Sequence, residues 1–425
     1  MYEIDNVLRD YAWGSTTAIA ALLGRSESGA PEAELWIGAH PDSPSTAHVP
    51  EDRSTAPLDA LITSDPEHFL GAESVARFGP RLPFLAKILA AAQPLSLQVH
   101  PSLQQAQAGF ARENAEGVAP DAPHRNYRDD NHKPEMILAL TPFEALCGFR
   151  SVAATRGILQ HVADTVSHEG GSPGDSGREG AALVAALLSD LDGEAHAGDE
   201  GAGLRRAFER LITGGEDVAT ATSQVVAALI GGSLAPYEAE LGTVISLNEK
   251  YPGDPGVLIS LLLNRLSLQP GEAVYLPAGN VHAYLHGLGV EVMASSDNVL
   301  RGGLTPKYVD VPELLRTIDF SPVAVPMLEA ERSELGQELF RPPFAEFQLQ
   351  RIELSPGDGP VPLAQSGAAV VIVVAGGIYL DSPKGDLRLE RGASAFLAAA
   401  EAPVNVHLAS DSAEAALAFA VTTGL

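Results

Sequence analysis

Three short segments of this 425-residue chain carry the side chains best suited to chemistry. In Ser96-Leu-Gln-Val-His100-Pro, residues two apart on an extended strand share a face, so Gln98 and His100 present an amide oxygen and an imidazole together. Asn131-His-Lys-Pro-Glu135 closes one segment at Pro134 and opens a strand on Glu135. Asn280-Val-His282 follows a turn at Pro277-Ala-Gly279. An amide, two imidazoles and a carboxylate form a nitrogen and oxygen donor set suited to Zn²⁺ or another divalent first-row ion. The chain has 12 histidines, and these segments lie far apart, so spacing alone leaves an ordinary core or surface role open for each. His286, four residues beyond His282, could suggest a helical pair, but the turn before and Gly287 after favour strand or loop.

The elements that must position these groups are mostly short strands. Gly 41 and Pro 31 are the punctuation of many strands joined by turns. Residues 1–150 read as mixed with sheet dominant, for example Glu34-Leu-Trp-Ile, Pro94 to His100 and Met136 to Leu140, with a helical piece at Thr17 to Leu23. Over 151–264 the period becomes helical, with Leu183, Val184, Leu187, Leu188 and Leu191, then Leu204, Phe208, Leu211 and Ile212, then Val225, Val226, Leu229 and Ile230. Two Gly-, Asp- and Glu-rich links, 170–177 and 193–203, read as mobile surface loops. Strand grammar returns over 265–335, where Pro270 and Gly271 suit a type II turn. In 336–425 alternation dominates, and the change of phase from Phe347/Leu349 to Ile352/Leu354 predicts a bulge. The fold expected is mainly β with an α insertion, the last segment being a sandwich or jelly roll.

Composition narrows the function. Lys+Arg 27 against Asp+Glu 55 gives a formal charge of −28, which argues against nucleic acid as a partner. A small phosphorylated substrate remains compatible, because a few local cations can override the mean field. The single cysteine, Cys147, excludes an intrachain disulfide framework and a thiolate metal site, and reads as a small buried hydrophobe. The longest apolar run, 367–380, is too short to span a bilayer. The start, Met1-Tyr-Glu-Ile-Asp, lacks signal-peptide character. A cytoplasmic protein without a membrane partner is expected, with a monomer as the default.

Six motifs, in order, are similar to the type I mannose-6-phosphate isomerases, zinc-dependent enzymes of the cupin superfamily. They are Tyr11-Ala-Trp-Gly-Ser15, Glu34-Leu-Trp-Ile-Gly-Ala-His-Pro41, Gln98-Val-His-Pro101, His132-Lys-Pro-Glu-Met136, Pro277-Ala-Gly-Asn-Val-His-Ala-Tyr284 and Ser296-Asp-Asn-Val-Leu-Arg-Gly-Gly-Leu-Thr-Pro-Lys307. The resemblance implies one zinc per chain on Gln98, His100, Glu135 and His282, with Arg301 as the active-site arginine. It places Lys133 and Lys307 in the substrate pocket, Ser96 and Lys87 near it, and Glu291 close by. Trp13 falls at the sugar by the same likeness, core packing being its alternative, and Trp36 is expected to pack. The implied architecture is a cupin or jelly-roll catalytic domain over 1–150 and 265–335, interrupted by a helical domain over 151–264 and followed by a jelly-roll-like domain over 336–425.

The implied reaction interconverts mannose 6-phosphate and fructose 6-phosphate, serving GDP-mannose biosynthesis or mannose catabolism. It needs a proton moved between C2 and C1 and an enediolate stabilised meanwhile, tasks for a Lewis acid, fixed cations and a positioned base. The candidates for the base are the His132/Lys133 pair and then Glu291, while His100 or Asp297 could assist ring opening. Lys307, with Arg301 or Lys87, would hold the phosphate. Two rivals share the donors. A cupin-type non-haem iron oxygenase would use His100, Glu135 and His282 alone, and a sugar-phosphate sensor would bind without turnover.

Overall fold

Phe84–Ala91 is buried along its whole length, as a strand with neighbours on both sides and layers above and below must be. In a computed structural model describing residues 1–50, 53–169, 177–192, 199–409 and 414–425, it lies at the centre of an eleven-stranded sheet. Its neighbours are Glu34–Ile37 and the second half of the long strand His282–Ala294. That long strand organises the site. Its first half pairs with Phe143–Phe149 and with Gln98, its second half with Phe84–Ala91 and Glu135–Ala139. The change of partners falls at Gly287, where φ is +130° and a Cβ would meet the Phe143 Cα at 2.8 Å. Only glycine takes this bend without strain.

A second, nine-stranded sheet holds most of the carboxy-terminal strands, but Tyr2–Asp5 pairs with Ser394–Leu397 within it. The amino terminus is therefore stitched into the sheet of residues some 390 positions away, a pairing that no local pattern announces. A four-stranded sheet, Val361–Pro362, Asn405–Leu408, Gly377–Ser382 and Gly385–Glu390, covers the far side of that layer.

The helical stretch contains Val152–Glu169, Arg178–Asp190, Glu200–Thr213, Gly215–Gly231 and Glu238–Lys250. Their apolar faces, including Leu187, Phe208, Val225 and Leu229, form one core with Leu97, Val99 and Leu300 of the site strands. The expected links at 170–176 and 193–198 lie outside the described residues, and Glu200 already belongs to a helix. Leu103–Ala115 is a further helix, started by Ser102, whose Oγ accepts from the Gln105 N–H while the Gln105 side chain accepts from the Ser102 N–H.

One local expectation is corrected. Gln348–Leu354 pairs with Ala416–Thr422 in unbroken register, without a bulge. Phe347 and Leu349 face the core shared with the first sheet, while Ile352 and Leu354 face the core under the four-stranded sheet. The phase change marks a strand buried on both faces. Among the described residues no helix is long and apolar enough to cross a membrane.

Candidate metal and sugar-phosphate site

Strand register brings the donors together. His282 lies opposite Gln98, and Arg301 lies opposite Gln98 on its other side. Glu135 opens its strand opposite Leu276 and Met293. The result is a buried triad. His100 Nε2 is 3.3 Å from Glu135 Oε1, and His282 Nε2 is 3.4 Å from Glu135 Oε2.

The protons on these rings are fixed by what they touch. His100 Nδ1 lies 2.7 Å from the Asn298 carbonyl and His282 Nδ1 lies 3.0 Å from the Asn280 carbonyl. A carbonyl only accepts, so each Nδ1 donates, and both Nε2 lone pairs point to Glu135. His100 Nε2 is buried and has no hydrogen-bond partner. Burial pushes the His100 imidazole down to about 4, despite the opposing pull of Glu135, so the ring stays neutral near pH 7. Burial works against the Glu135 carboxylate, but the Lys133 ammonium beside it helps hold its carboxyl well below the usual carboxylate range. A neutral imidazole at His100, an ionised carboxylate and an orphaned lone pair are what a divalent cation requires. The spacing agrees, since tetrahedral zinc with bonds of about 2.0–2.1 Å places its ligands about 3.3–3.4 Å apart.

Around the triad runs a second buried set on one sheet face. Lys87 lies directly opposite Glu291 and Trp36 on the neighbouring strands. Its Nζ is 3.0 Å from Glu291 and 3.6 Å from Glu34, and stands 5.2 Å from the centre of the Trp36 ring. The Trp36 indole N–H donates to Glu34 at 2.6 Å. Burial works against the charge of Lys87, but Glu291, Glu34 and Glu135 outweigh it and raise its pKa. Burial likewise pushes the Glu291 carboxyl up, with Lys87 opposing. Lys133 Nζ is 3.4 Å from Glu135. Glu34, Lys87, Gln98, Lys133, Glu135, His282, Tyr284 and Glu291 line one cavity of about 70 Å³. Burial raises the Tyr284 phenol well above its ordinary range, and its hydroxyl has no hydrogen-bond partner.

Not every residue expected at the site reaches this cavity. His132 donates from its Nε2–H to the Glu346 carboxylate at 2.6 Å and lines a different cavity with Arg77, Phe344 and Asn131. His132 is therefore set apart from the groups around Glu135. Asp297 lies 3.5 Å from His40 Nε2 in a third cavity of about 410 Å³. Ser96 is half-buried, and Trp13 stacks on Tyr11 at 5.7 Å while packing against the apolar cluster of Leu89, Leu95 and Tyr284. Arg301 is half-buried and Lys307 exposed, and among the described residues neither has a carboxylate partner. Cys147 is buried, its thiol pushed up to about 12 by burial.

The sequence reading passed over Glu34, His40, Tyr284, Arg128 and Asn298. Glu34 carried a usable signal, a charge inside the apolar run Glu34-Leu-Trp-Ile. Asn298 carried none. Its side chain accepts from the N–H groups of Arg128 (2.7 Å) and Asp129 (3.2 Å) and donates to the carbonyls of Asp129 and Asn131, both at 2.8 Å.

A mainly β, cupin-like fold with a helical insertion, holding a His-Glu-His cluster beside the buried Lys87 and the half-buried Lys133, defines a metal-centred enzyme of sugar chemistry. The family model of the phosphomannose isomerase type I catalytic domain matches residues 1–152. The chain is 40% identical over 409 residues to the mannose-6-phosphate isomerase of Escherichia coli (strain K12), covering 96% of this chain and 97% of that one. It is 32% identical to the Homo sapiens enzyme, covering 94% of each. Among solved structures, a mutant phosphomannose isomerase from Salmonella typhimurium matches with a TM-score of 0.85 at 36% identity, over 100% of both chains. A zinc-bound mannose 6-phosphate isomerase matches with a TM-score of 0.84 at 37% identity, covering 100% of this chain and 99% of that one. The chain belongs to the type I phosphomannose isomerase family.

Proposed function

We propose that the chain interconverts D-mannose 6-phosphate and D-fructose 6-phosphate at a single zinc site. The observation that carries this reading is the pair of carbonyl-anchored imidazoles converging on Glu135 beside the buried Lys87 ammonium and the half-buried Lys133. Gln98, His100, Glu135 and His282 would hold the metal, whose part when bound is to polarise substrate oxygens as a Lewis acid. Lys133 and Lys87 supply fixed positive charge where the enediolate develops, in a dry setting where such charge acts strongly. Glu291 is the residue we assign to carrying the proton between C2 and C1. It lines the cavity, and burial lifts its carboxyl toward the range useful to a general base. Arg301, next to Gln98 in register, and Lys307 are assigned to the phosphate.

The same reading includes the division of the chain into a catalytic part over 1–150 and 265–335, a helical insertion and a carboxy-terminal β part. It also includes a monomeric, cytoplasmic protein acting on a small sugar phosphate without a nucleic-acid or membrane partner. A coupled assay of mannose 6-phosphate conversion, before and after chelation and with zinc restored, tests the central claim. Activity lost on chelation and returned by zinc supports it, and no turnover by folded, fully metallated protein overturns it.

A further inference from the structure

Most strongly held arginines of this acidic chain sit against carboxylates, as Arg125 does on Glu113, Arg150 on Glu240, Arg210 on Asp190 and Arg265 on Glu144. Arg128, Arg301 and Lys307 are different. Among the described residues none of the three has an ion pair, although the formal charge is −28. Arg128 weighs against the charge of both others, and Arg301 against that of Lys307. Burial and then Arg128 lower the pKa of Arg301, and burial, Arg301 and Arg128 lower that of Lys307.

The backbone makes this crowding deliberate. Residues 124–127 are laced along 308–313: the His124 ring meets Tyr308 edge-on at 6.5 Å, Asn126 Nδ2 donates to Asp310 at 2.8 Å, and the buried Tyr127 hydroxyl donates to Glu313 at 2.6 Å. The Arg128 N–H is then taken by the Asn298 side chain, three positions before Arg301. Arg128 is thus pinned between the segment carrying Arg301 and the one carrying Lys307, its own side chain exposed. Three unpaired cations fixed together fit a phosphate, which carries about −1.5 to −2 charge and three acceptor oxygens at neutral pH. Arg301 also lies beside Gln98, so such a phosphate sits at the rim of the metal site.

We propose that Arg128 is a third cationic contact for the substrate phosphate, acting with Arg301 and Lys307. This rests on the sugar-phosphate reading given above. The test compares wild type with Arg128→Met, which removes the charge and keeps the length, and Arg128→Lys, which keeps the charge. Competitive inhibition by inorganic phosphate and kcat/KM for mannose 6-phosphate are measured at one ionic strength, with zinc content checked. Arg128→Met should weaken both by about tenfold, the scale of one charge-assisted contact at a partly solvated site, while Arg128→Lys recovers most of each. Unchanged phosphate inhibition in Arg128→Met overturns the proposal, as does a loss of turnover without loss of phosphate affinity. Failure of metallated wild type to turn over would instead sink the isomerase reading. Calorimetric titration of inorganic phosphate into both proteins would still decide the role of Arg128.

Discussion

Lys87→Met isolates the buried charge cluster. At the 3.0 Å separation of Lys87 and Glu291, an effective dielectric of about 20 gives an attraction of about 5 kcal/mol. Removing one partner of such a buried pair costs about 3–5 kcal/mol, because the other charge is left stranded. The stranded group can escape by taking a proton. A penalty of this kind on ionised Glu291 pushes its carboxyl further above a value that burial already raises. The sign follows from linkage: a carboxyl whose folded pKa lies above its unfolded one destabilises at high pH, and this penalty fades as pH falls through the folded pKa. The deficit of Lys87→Met should therefore be largest near pH 8 and shrink markedly by pH 5.5. Adding Glu291→Gln should recover about 2–3 kcal/mol at pH 8. Recovery stays partial because Glu34, 3.6 Å from Lys87, also loses its partner and keeps only the Trp36 N–H. Guanidinium unfolding of the two single variants, the double variant and wild type, at both pH values, gives the coupling directly. A deficit equal at both pH values, or a double variant no more stable than Lys87→Met, would refute the reasoning.

Two other perturbations address how the site is held. Asn298→Asp keeps the acceptor for the Arg128 and Asp129 N–H groups but sets an oxygen against the carbonyls of Asp129 and Asn131. Since the Asn298 carbonyl also anchors His100, we expect kcat/KM or zinc affinity to fall about 10–100-fold, measured by steady-state kinetics and chelator competition; wild-type values of both would count against a positioning role. Gly287→Ala puts a Cβ 2.8 Å from the Phe143 Cα and 2.9 Å from the Pro142 carbonyl, at a φ of +130°. Backbone cannot yield cheaply, so a loss of about 3 kcal/mol is expected in denaturant unfolding, and a loss under about 1 kcal/mol would mean the strand bends without needing glycine.

The site was legible where chemistry is written in residue type, and illegible where it depends on register. Gln98, His100, Glu135 and His282 announce themselves as donors, and the structure brings the last three into contact distance. His132 and Lys133 look equivalent in sequence. Lys133 shares the face of Glu135 two positions on, whereas His132 takes the opposite side and finds Glu346, more than two hundred residues away. The helical stretch was readable because its period is local, down to Leu187 and Phe208 in one core. The pairing of Tyr2–Asp5 with Ser394–Leu397 was not, since a strand's partner is set by tertiary packing. The supposed bulge at Phe347 to Leu354 shows the same limit. A switch of apolar phase can mean an inserted residue or two cores, and only the neighbours decide.

Net charge misleads in a related way. A formal charge of −28 suggests a protein that repels anions, yet the groups that matter are arranged against that mean. In the metal cavity Lys87 and Lys133 meet Glu34, Glu135 and Glu291, two positive charges against three negative, leaving a deficit of one. A divalent ion turns that deficit into an excess of one positive charge, the sign an enediolate requires. At the rim, the neighbouring Arg128 opposes the charges of Arg301 and Lys307, a repulsion that no ion pair among the described residues relieves. A dianionic phosphate would relieve it. The two places thus call for opposite partners, a cation in one and an anion in the other. On the sugar-phosphate reading proposed above, a substrate held at the rim by its phosphate would place its reacting carbons at the metal, since Arg301 and Gln98 face each other across one strand pair.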